Sequence, residues 1–299
     1  MEKIKNLDSK LNSKFYYDFN IGKLTWFRTG GNAKVLIIVE DDNELEIILN
    51  EIQNYKYYVI GAGSNILIRD NGFNGIVLKL GKNYNKIEIQ NDELKVGANI
   101  FDNTLSIFTK KHGISGFEFF SGIPGTIGGA IKMNAGCYGS ETKDLLSKVV
   151  LYNKKGQKKI HTKNNLELKY RSSNIMDSSI ISLAYFKFSN KLLKDPVEIE
   201  KKINEIKEHR LVNQPIKEKT SGSTFKNPDK MYAAKLIEEA GCKGLFYGNA
   251  SVSNKHANFL INNGKASAND IENLGKLIIE KVAKRFNVNL NWEIKIIGE

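Results

Sequence analysis

Two stretches of the chain combine residue types and spacing suited to chemistry. Gly61-Ala62-Gly63-Ser64-Asn65 directly follows a strand-like run. Small residues there let backbone N–H groups approach an anionic diphosphate, and the Ser and Asn side chains add donors. The loop lacks GxGxxG spacing and no GxxxxGK[ST] occurs, so taken alone it reads equally well as an ordinary glycine turn. The second stretch is richer: Ser121-Gly122-Ile123-Pro124-Gly125-Thr126-Ile127-Gly128-Gly129-Ala130, continuing to Asn134-Ala135-Gly136-Cys137-Tyr138-Gly139. Its glycines allow positive φ and close backbone approach, and Pro124 stiffens the turn. Residues 126–130 predict a helix start whose N-terminus faces a phosphate, with close helix–sheet packing as the competing reading.

Other chemistries find less support. Cys137 and Cys242 are far apart without CxxC spacing, and His112, His161, His209 and His256 form no HExxH or HxH pair. Neither a disulfide framework nor a metal centre is expected. The net charge of +12 raises the possibility of a nucleic-acid partner, yet only five of the 45 basic residues are arginine. The lysine pairs 110/111, 154/155, 158/159 and 201/202 are scattered without interleaved aromatics, a pattern that solvates exposed faces, so no nucleic-acid partner is expected. No apolar run approaches the roughly 20 residues of a spanning helix. Residues 1–14 are rich in Lys, Asp and Asn without an apolar signal-peptide core. A cytoplasmic protein without membrane insertion is the expectation.

The elements that must position the glycine loops are legible as periodic segments. Strand, helix and strand over 34–40, 43–52 and 57–60 make a βαβ-like opening into Gly61. Short strands over 75–80, 86–90 and 93–96 follow, with a hairpin turn at Asn91-Asp92. Residues 101–112 predict a helix closed by Gly113. Beyond the second glycine stretch come strands over 149–153 and 158–161, hinged at Lys155-Gly156, and a strand over 180–188. Asp195-Pro196-Val197-Glu198 then places a helix cap, a first-turn proline and an N3 carboxylate before Ile199, Ile203 and Ile206 on one face. The last hundred residues alternate helix 231–240 stopped by Gly241, strand 258–262, a long helix from Ser267 with Asp270 at N3, and a terminal strand 293–297.

Several further motifs occur in fixed order. They are Trp26-Phe27-Arg28-Thr29-Gly30-Gly31, the GAGSN loop with Ile66-Leu67-Ile68, and SGIPGTIGGAIKMNAGCYGSE. Tyr170-Arg171-Ser172-Ser173 follows, then Arg210 with Gln214-Pro215, and Ser221-Gly222-Ser223-Thr224-Phe225-Lys226-Asn227-Pro228. The succession closes with AAKLIEEAGCKG, KHANFLIN and Leu290-Asn291-Trp292-Glu293. Over residues 20–298 this succession resembles the UDP-N-acetylenolpyruvoylglucosamine reductase family, whose FAD domain is shared with flavoenzymes of the vanillyl-alcohol-oxidase type. The chain passes quickly from Arg171 to strand 180–188, so it resembles the shorter members that lack a tyrosine-bearing loop over the substrate.

The resemblance implies an α+β fold with FAD-binding subdomains at 1–82 and 83–194 and a substrate-binding domain at 195–299. It implies a monomeric enzyme with non-covalent FAD, in which NADPH reduces the flavin and the flavin reduces the enolpyruvyl ether of a UDP-sugar to a lactyl ether for peptidoglycan synthesis. Charge builds toward the substrate carboxylate, so a cation or acid must meet it and a proton donor must serve the neighbouring carbon. By resemblance Arg171 polarises the carboxylate. Glu293 shares that task as a protonated or strongly hydrogen-bonded carboxyl, and Ser223 donates the proton. The resemblance likewise assigns FAD to Gly61, Ala62, Gly63, Ser64, Asn65, Ser121, Gly122, Ile123, Pro124, Gly125, Thr126, Gly128, Gly129, Asn134, Ala135 and Gly136. Tyr138, Arg210 and Asn227 are assigned to substrate or nucleotide phosphates. Without the family motifs, Arg171, Ser223 and Glu293 would each read as structural, and Cys137, Cys242 and His256 are expected to be packing residues. A flavin oxidase of the same fold, acting on a hydroxy acid or sugar lactone, is the alternative enzyme.

Overall fold

Apolar spacing decides which segments become helix and which become strand. A computed structural model of the chain describes residues 2–299. Asn32–Val39 buries one face through Ala33, Val35, Ile37 and Val39, while the other buries only Leu36 and exposes Lys34. It lies second in a four-stranded sheet with the spatial order Lys14–Asn20, Asn32–Val39, Phe73–Leu80, Tyr57–Val59. The helix Asp42–Ile52 starts where the Asp41 carboxylate accepts the amides of Asn43 and Glu44. Its Leu45, Ile48, Leu49 and Ile52 stand at helical spacing and share a core with Val35, Ile37, Ile76 and Leu78. The expected strand–helix–strand opening forms, but its two strands are not neighbours. Phe73–Leu80 lies between them, parallel to Tyr57–Val59, with Tyr57, Tyr58 and Val59 opposite Ile76, Val77 and Leu78.

A five-stranded antiparallel sheet follows the order Lys158–Thr162, Leu146–Tyr152, Ile180–Lys187, Glu93–Gly97, Ile87–Gln90. The turn at Asn91-Asp92 closes its edge hairpin, with Gln90 opposite Glu93. The helices Asp102–Lys111 and Ile127–Met133 contribute Leu105, Ile127 and Ile131 to the core over this sheet. At its centre the rings of Phe117 and Phe120 meet Phe186 edge-on. In the C-terminal part, the sheet Phe246–Tyr247, Ala250–Val252, Leu260–Asn262 shares a core with helices Ala233–Glu239 and Ala268–Phe286. The long helix begins as expected, with Ser267 and Asp270 capping each other's backbone amides. The helix Glu2–Asp8 and the strand Lys14–Asn20 carry no sequence signal: two buried residues anchor the first, and exposed residues dominate the second.

Contacts divide the chain into two compact units that interleave in sequence. The first holds residues 1–17, 35–62 and 75–208, and the second holds 18–34, 63–74 and 209–299. Ile66–Ile68 pairs in parallel with the terminal strand Lys295–Ile297, which draws residues from the early chain into the unit of the C-terminus. The last passage between units falls after Glu208, inside the helix Pro196–Asn213.

Candidate active site

In the first unit the two glycine stretches meet. The strand Tyr57–Val59 runs out through Ile60, whose amide donates to the Leu78 carbonyl at 2.9 Å, and delivers Gly61 against Thr126. A Cβ on Gly61 would sit 2.4 Å from Thr126 Oγ1, so a larger residue there would have to push the Thr126 side chain aside. Gly61, Thr126, Gly128 and Gly129 form one wall of an open groove with about 630 Å³ of space, and Tyr58, Met176, Asp177 and Ser179 line it further. Burial, reinforced by the Asp177 charge, pushes the Tyr58 phenol up to about 12, so it stays neutral at working pH. The Ser121 hydroxyl is buried without a partner among the described residues. One expectation changes: the amides of Ile127 and Gly128 do not greet an anion, because they donate to the carbonyls of Ile100 and Ala98 at 2.9 Å each. Gly129, exposed, has the first amide of this helix without a backbone acceptor among the described residues.

The later part of the second stretch does something else. Asn134 ends the helix Ile127–Met133 in the left-handed region at φ 42° and is fully buried. Its Nδ2 donates to Glu141 Oε2 and to the Lys169 carbonyl, both at 3.1 Å, and its Oδ1 accepts the Lys143 amide at 3.0 Å. Ala135 donates its amide to Ala130 at 2.7 Å and accepts Thr142 at its carbonyl. The hydrogen bonds of these groups run to the protein. They build the platform for Arg171. Lys169 and Ser172 exchange two backbone hydrogen bonds of 3.1 Å, making Tyr170-Arg171 the tip of a tight turn with Arg171 at φ 50°. Arg171 Nη2 donates to the Gly136 carbonyl at 2.8 Å, and its guanidinium lies 4.9 Å from the Tyr170 ring centroid. Burial would raise the Glu141 carboxyl, but hydrogen bonds from Lys143 and Asn134 and the charges of Lys143 and Arg171 hold it below its usual range. Tyr138, at φ 54°, is exposed and donates to the Ile206 carbonyl at 3.5 Å.

In the second unit, Ser223 and Glu293 lie on neighbouring backbone segments. Asn258 grips Phe225 from both sides, accepting its amide at 3.0 Å and donating to its carbonyl at 2.8 Å. Ser223 bridges to Phe259, and Phe225 bridges to Trp292. The Glu293 amide donates to the Thr224 carbonyl at 2.8 Å, one residue from Ser223. Asn65 completes the arrangement, its Nδ2 donating to the Glu293 carbonyl at 3.1 Å and its own carbonyl accepting Lys295 at 2.9 Å. Gly63, at φ 70°, accepts the Trp26 amide at 3.0 Å, and a Cβ there would meet the Leu24 carbonyl at 2.3 Å. The first glycine loop is thus split, with Gly61 and Ala62 in one unit and Gly63, Ser64 and Asn65 in the other. Asn227 caps the helix Ala233–Glu239 by accepting the Ala233 amide at 3.0 Å, and Arg210 Nε donates to Gln214 Oε1 at 3.0 Å.

Sequence reasoning missed three residues. Asp102 is fully buried with neither carboxylate oxygen partnered among the described residues, and burial raises its pKa well above the usual value. Its amide donates to the Gly125 carbonyl at 3.1 Å, which ties the buried acid to the second glycine stretch. An aspartate one turn from Ser106 on a helical face was the only signal. Asn258 lies within KHANFLIN, where the sequence alone gives it no role, and Lys79 reads as an ordinary solvated lysine. Of the packing residues, Cys242 is buried, the Cys137 thiol donates to the Phe119 carbonyl at 3.2 Å, and His256 meets Phe259 edge-on at 4.6 Å.

The groove and its glycine walls define a class. Residues 33–157 match the family model described as FAD binding domain, and the fold is α+β. The protein is an oxidoreductase with FAD as its cofactor. FAD suits the residues present: Gly61 and Thr126 make a cradle that a Cβ would fill, with the unpartnered Ser121 hydroxyl in the same stretch. Residues 214–297 match the model described as UDP-N-acetylenolpyruvoylglucosamine reductase, C-terminal domain. The chain is similar to UDP-N-acetylenolpyruvoylglucosamine reductases of Rickettsia conorii, at 44% identity over 94% of this chain and 95% of the relative, and of Rickettsia typhi, at 44% over 97% of each. The crystal structure of UDP-N-acetylenolpyruvylglucosamine reductase from Thermus caldophilus superposes with a TM-score of 0.82 at 30% identity, covering 96% of this chain and 99% of that one. The chain belongs to the UDP-N-acetylenolpyruvoylglucosamine reductase family.

Proposed function

We propose that the protein uses NADPH and FAD to reduce UDP-N-acetylglucosamine enolpyruvate to UDP-N-acetylmuramate, a cytoplasmic step in peptidoglycan precursor synthesis, and that it works as a monomer. The observation that carries the reading is the hydrogen bond from the Glu293 amide to the Thr224 carbonyl, which sets a carboxyl and the Ser223 hydroxyl on adjoining segments. Bound FAD would accept hydride from NADPH and deliver it to the vinyl carbon of the substrate. Arg171 binds the substrate carboxylate through its charged guanidinium and offsets the charge that builds there. Glu293 shares that charge, and Ser223 holds at Oγ the proton that the neighbouring carbon receives. Asn134 and Gly136 fix the turn that presents Arg171, and Asn134, Ala135 and Gly136 hold FAD from the same stretch. Gly61, Ala62, Ser121, Gly122, Ile123, Pro124, Gly125, Thr126, Gly128 and Gly129 hold FAD, with Gly63, Ser64 and Asn65 completing the first loop. Tyr138, Arg210 and Asn227 contact substrate. Segments 1–82 and 83–194 act as the two FAD subdomains and 195–299 as the substrate domain.

The test is anaerobic, following NADPH oxidation with and without the enolpyruvyl substrate in wild type and Ser223→Ala. Flavin reduction by NADPH is expected to survive in the variant, while substrate turnover falls by roughly 10²-fold or more, the scale of a lost proton donor. Equal loss of both half-reactions would remove Ser223 from the proton-donor role. Rapid O₂ reduction with indifference to NADPH would assign an oxidase of the same fold instead.

A further inference from the structure

Lys79 lies in the strand Phe73–Leu80, two residues past Val77, which pairs with Tyr58 in the groove wall. Its ammonium donates to the Gly61 carbonyl and to no other described group. Among the described residues no carboxylate stands within ion-pair distance of it, and burial alone lowers its pKa. Lys132, the lysine of the groove lining, is neutralised by Asp177 at 2.8 Å. An uncompensated cation in a partly buried position is costly unless something anionic joins it.

The peptide that Lys79 holds is equally unfinished. In a trans peptide the C=O and N–H point to opposite sides. Fixing the Gly61 carbonyl toward Lys79 therefore aims the Ala62 N–H the other way. Neither the Gly61 nor the Ala62 amide has a backbone acceptor among the described residues. The Thr126 hydroxyl stands close to Gly61 on its Cα side, where a Cβ would lie 2.4 Å from it.

We infer that Lys79 orients the Gly61–Ala62 peptide so that its amide faces the cofactor diphosphate, and supplies the positive charge that the glycine loops lack. The inference rests on the assignment of this groove to FAD. Lys79 is a positioning residue for the loop and a counter-charge for the anion.

The test titrates flavin-stripped wild type, Lys79→Met, Lys79→Gln and Lys79→Arg with FAD by fluorescence quenching, at several salt concentrations. Lys79→Met is expected to weaken FAD binding by roughly tenfold or more, the scale of a lost charge-assisted contact. Lys79→Gln keeps a donor for Gly61 and loses less, while Lys79→Arg retains most of the affinity. The salt dependence of binding falls in both neutral variants, because one screened charge is gone. A salt dependence equal to wild type in Met and Gln variants that melt normally would leave Lys79 only a structural role and overturn the counter-charge. FAD affinity unchanged in Lys79→Met would overturn the inference whole. Failure of the wild type itself to bind FAD is distinguishable and would remove the cofactor reading first.

Discussion

At the scale of single residues, the site is organised by buried polar groups whose own bonding is complete or deliberately incomplete. Asn134 has its amide donors and its carbonyl engaged, so a change there should act through Arg171. Asp102 is the opposite, a fully buried carboxyl with no partner for either oxygen among the described residues. Its pKa is raised in the folded state, so the folded protein retains a proton that the unfolded chain gives up above the ordinary aspartate value of 3.8. The unfolded state then binds fewer protons, and this group's contribution to stability falls as pH rises from that value toward the folded pKa. Asp102→Asn removes the titration. Relative to wild type, the variant should gain about 1.4 kcal/mol per pH unit within that window, whatever constant offset its second donor introduces. Urea unfolding at a series of pH values reads the difference directly, and a difference independent of pH would show that Asp102 is not a neutral acid.

At the scale of elements, one helix glycine matters for the site. Gly275 lies in the middle of Ala268–Phe286, where alanine would ordinarily stabilise by about 1 kcal/mol. Here an added Cβ would fall 1.9 Å from Trp292 Cη2. Trp292 cannot easily yield, because its ring packs 4.9 Å from that of Phe225, which is buried and held by Asn258. Overpacking of this kind costs about 1–3 kcal/mol, which exceeds the helix gain. Gly275→Ala should therefore destabilise the protein and lower turnover by shifting Glu293, the next residue along the chain. Denaturant midpoints and kcat measured together check this; a variant more stable than wild type would show that the ring relaxes freely. The strand residues beside it were less legible. Residues 293–297 read as one strand, yet only Lys295–Ile297 pairs as a strand, since the preceding pair turns to Thr224.

At the scale of the whole molecule, two interleaved units share one chain, and the cofactor is part of what stabilises it. FAD at about 100 times its dissociation constant should add about 2.7 kcal/mol to the stripped protein, raising Tm by roughly 5–10 °C. Calorimetry of stripped protein with increasing FAD tests this, and a Tm indifferent to saturating FAD would argue against the groove. The surplus of positive charge is spread over exposed faces, where Lys95, Lys110, Lys158 and Lys243 pair with local carboxylates. Such exposed pairs contribute little to stability and serve mainly to solvate the surface.

By itself the sequence determined the elements with strong local periodicity, the capping of the helices at Asp195 and Ser267, the glycine loops, and the motifs that carry the family. These are short-range properties, set by side-chain spacing and by φ that only glycine adopts easily. Tertiary structure decided what no spacing could express. It inserted Phe73–Leu80 between the two opening strands, drew Ile66–Ile68 to the terminal strand, and split the first glycine loop after Ala62. It also separated the second glycine stretch into a groove wall and a platform for Arg171, and it turned the amides of Ile127 and Gly128 inward. Each depends on which distant backbone group satisfies a given N–H or C=O, and buried polar groups must be satisfied wherever the folded chain brings a partner.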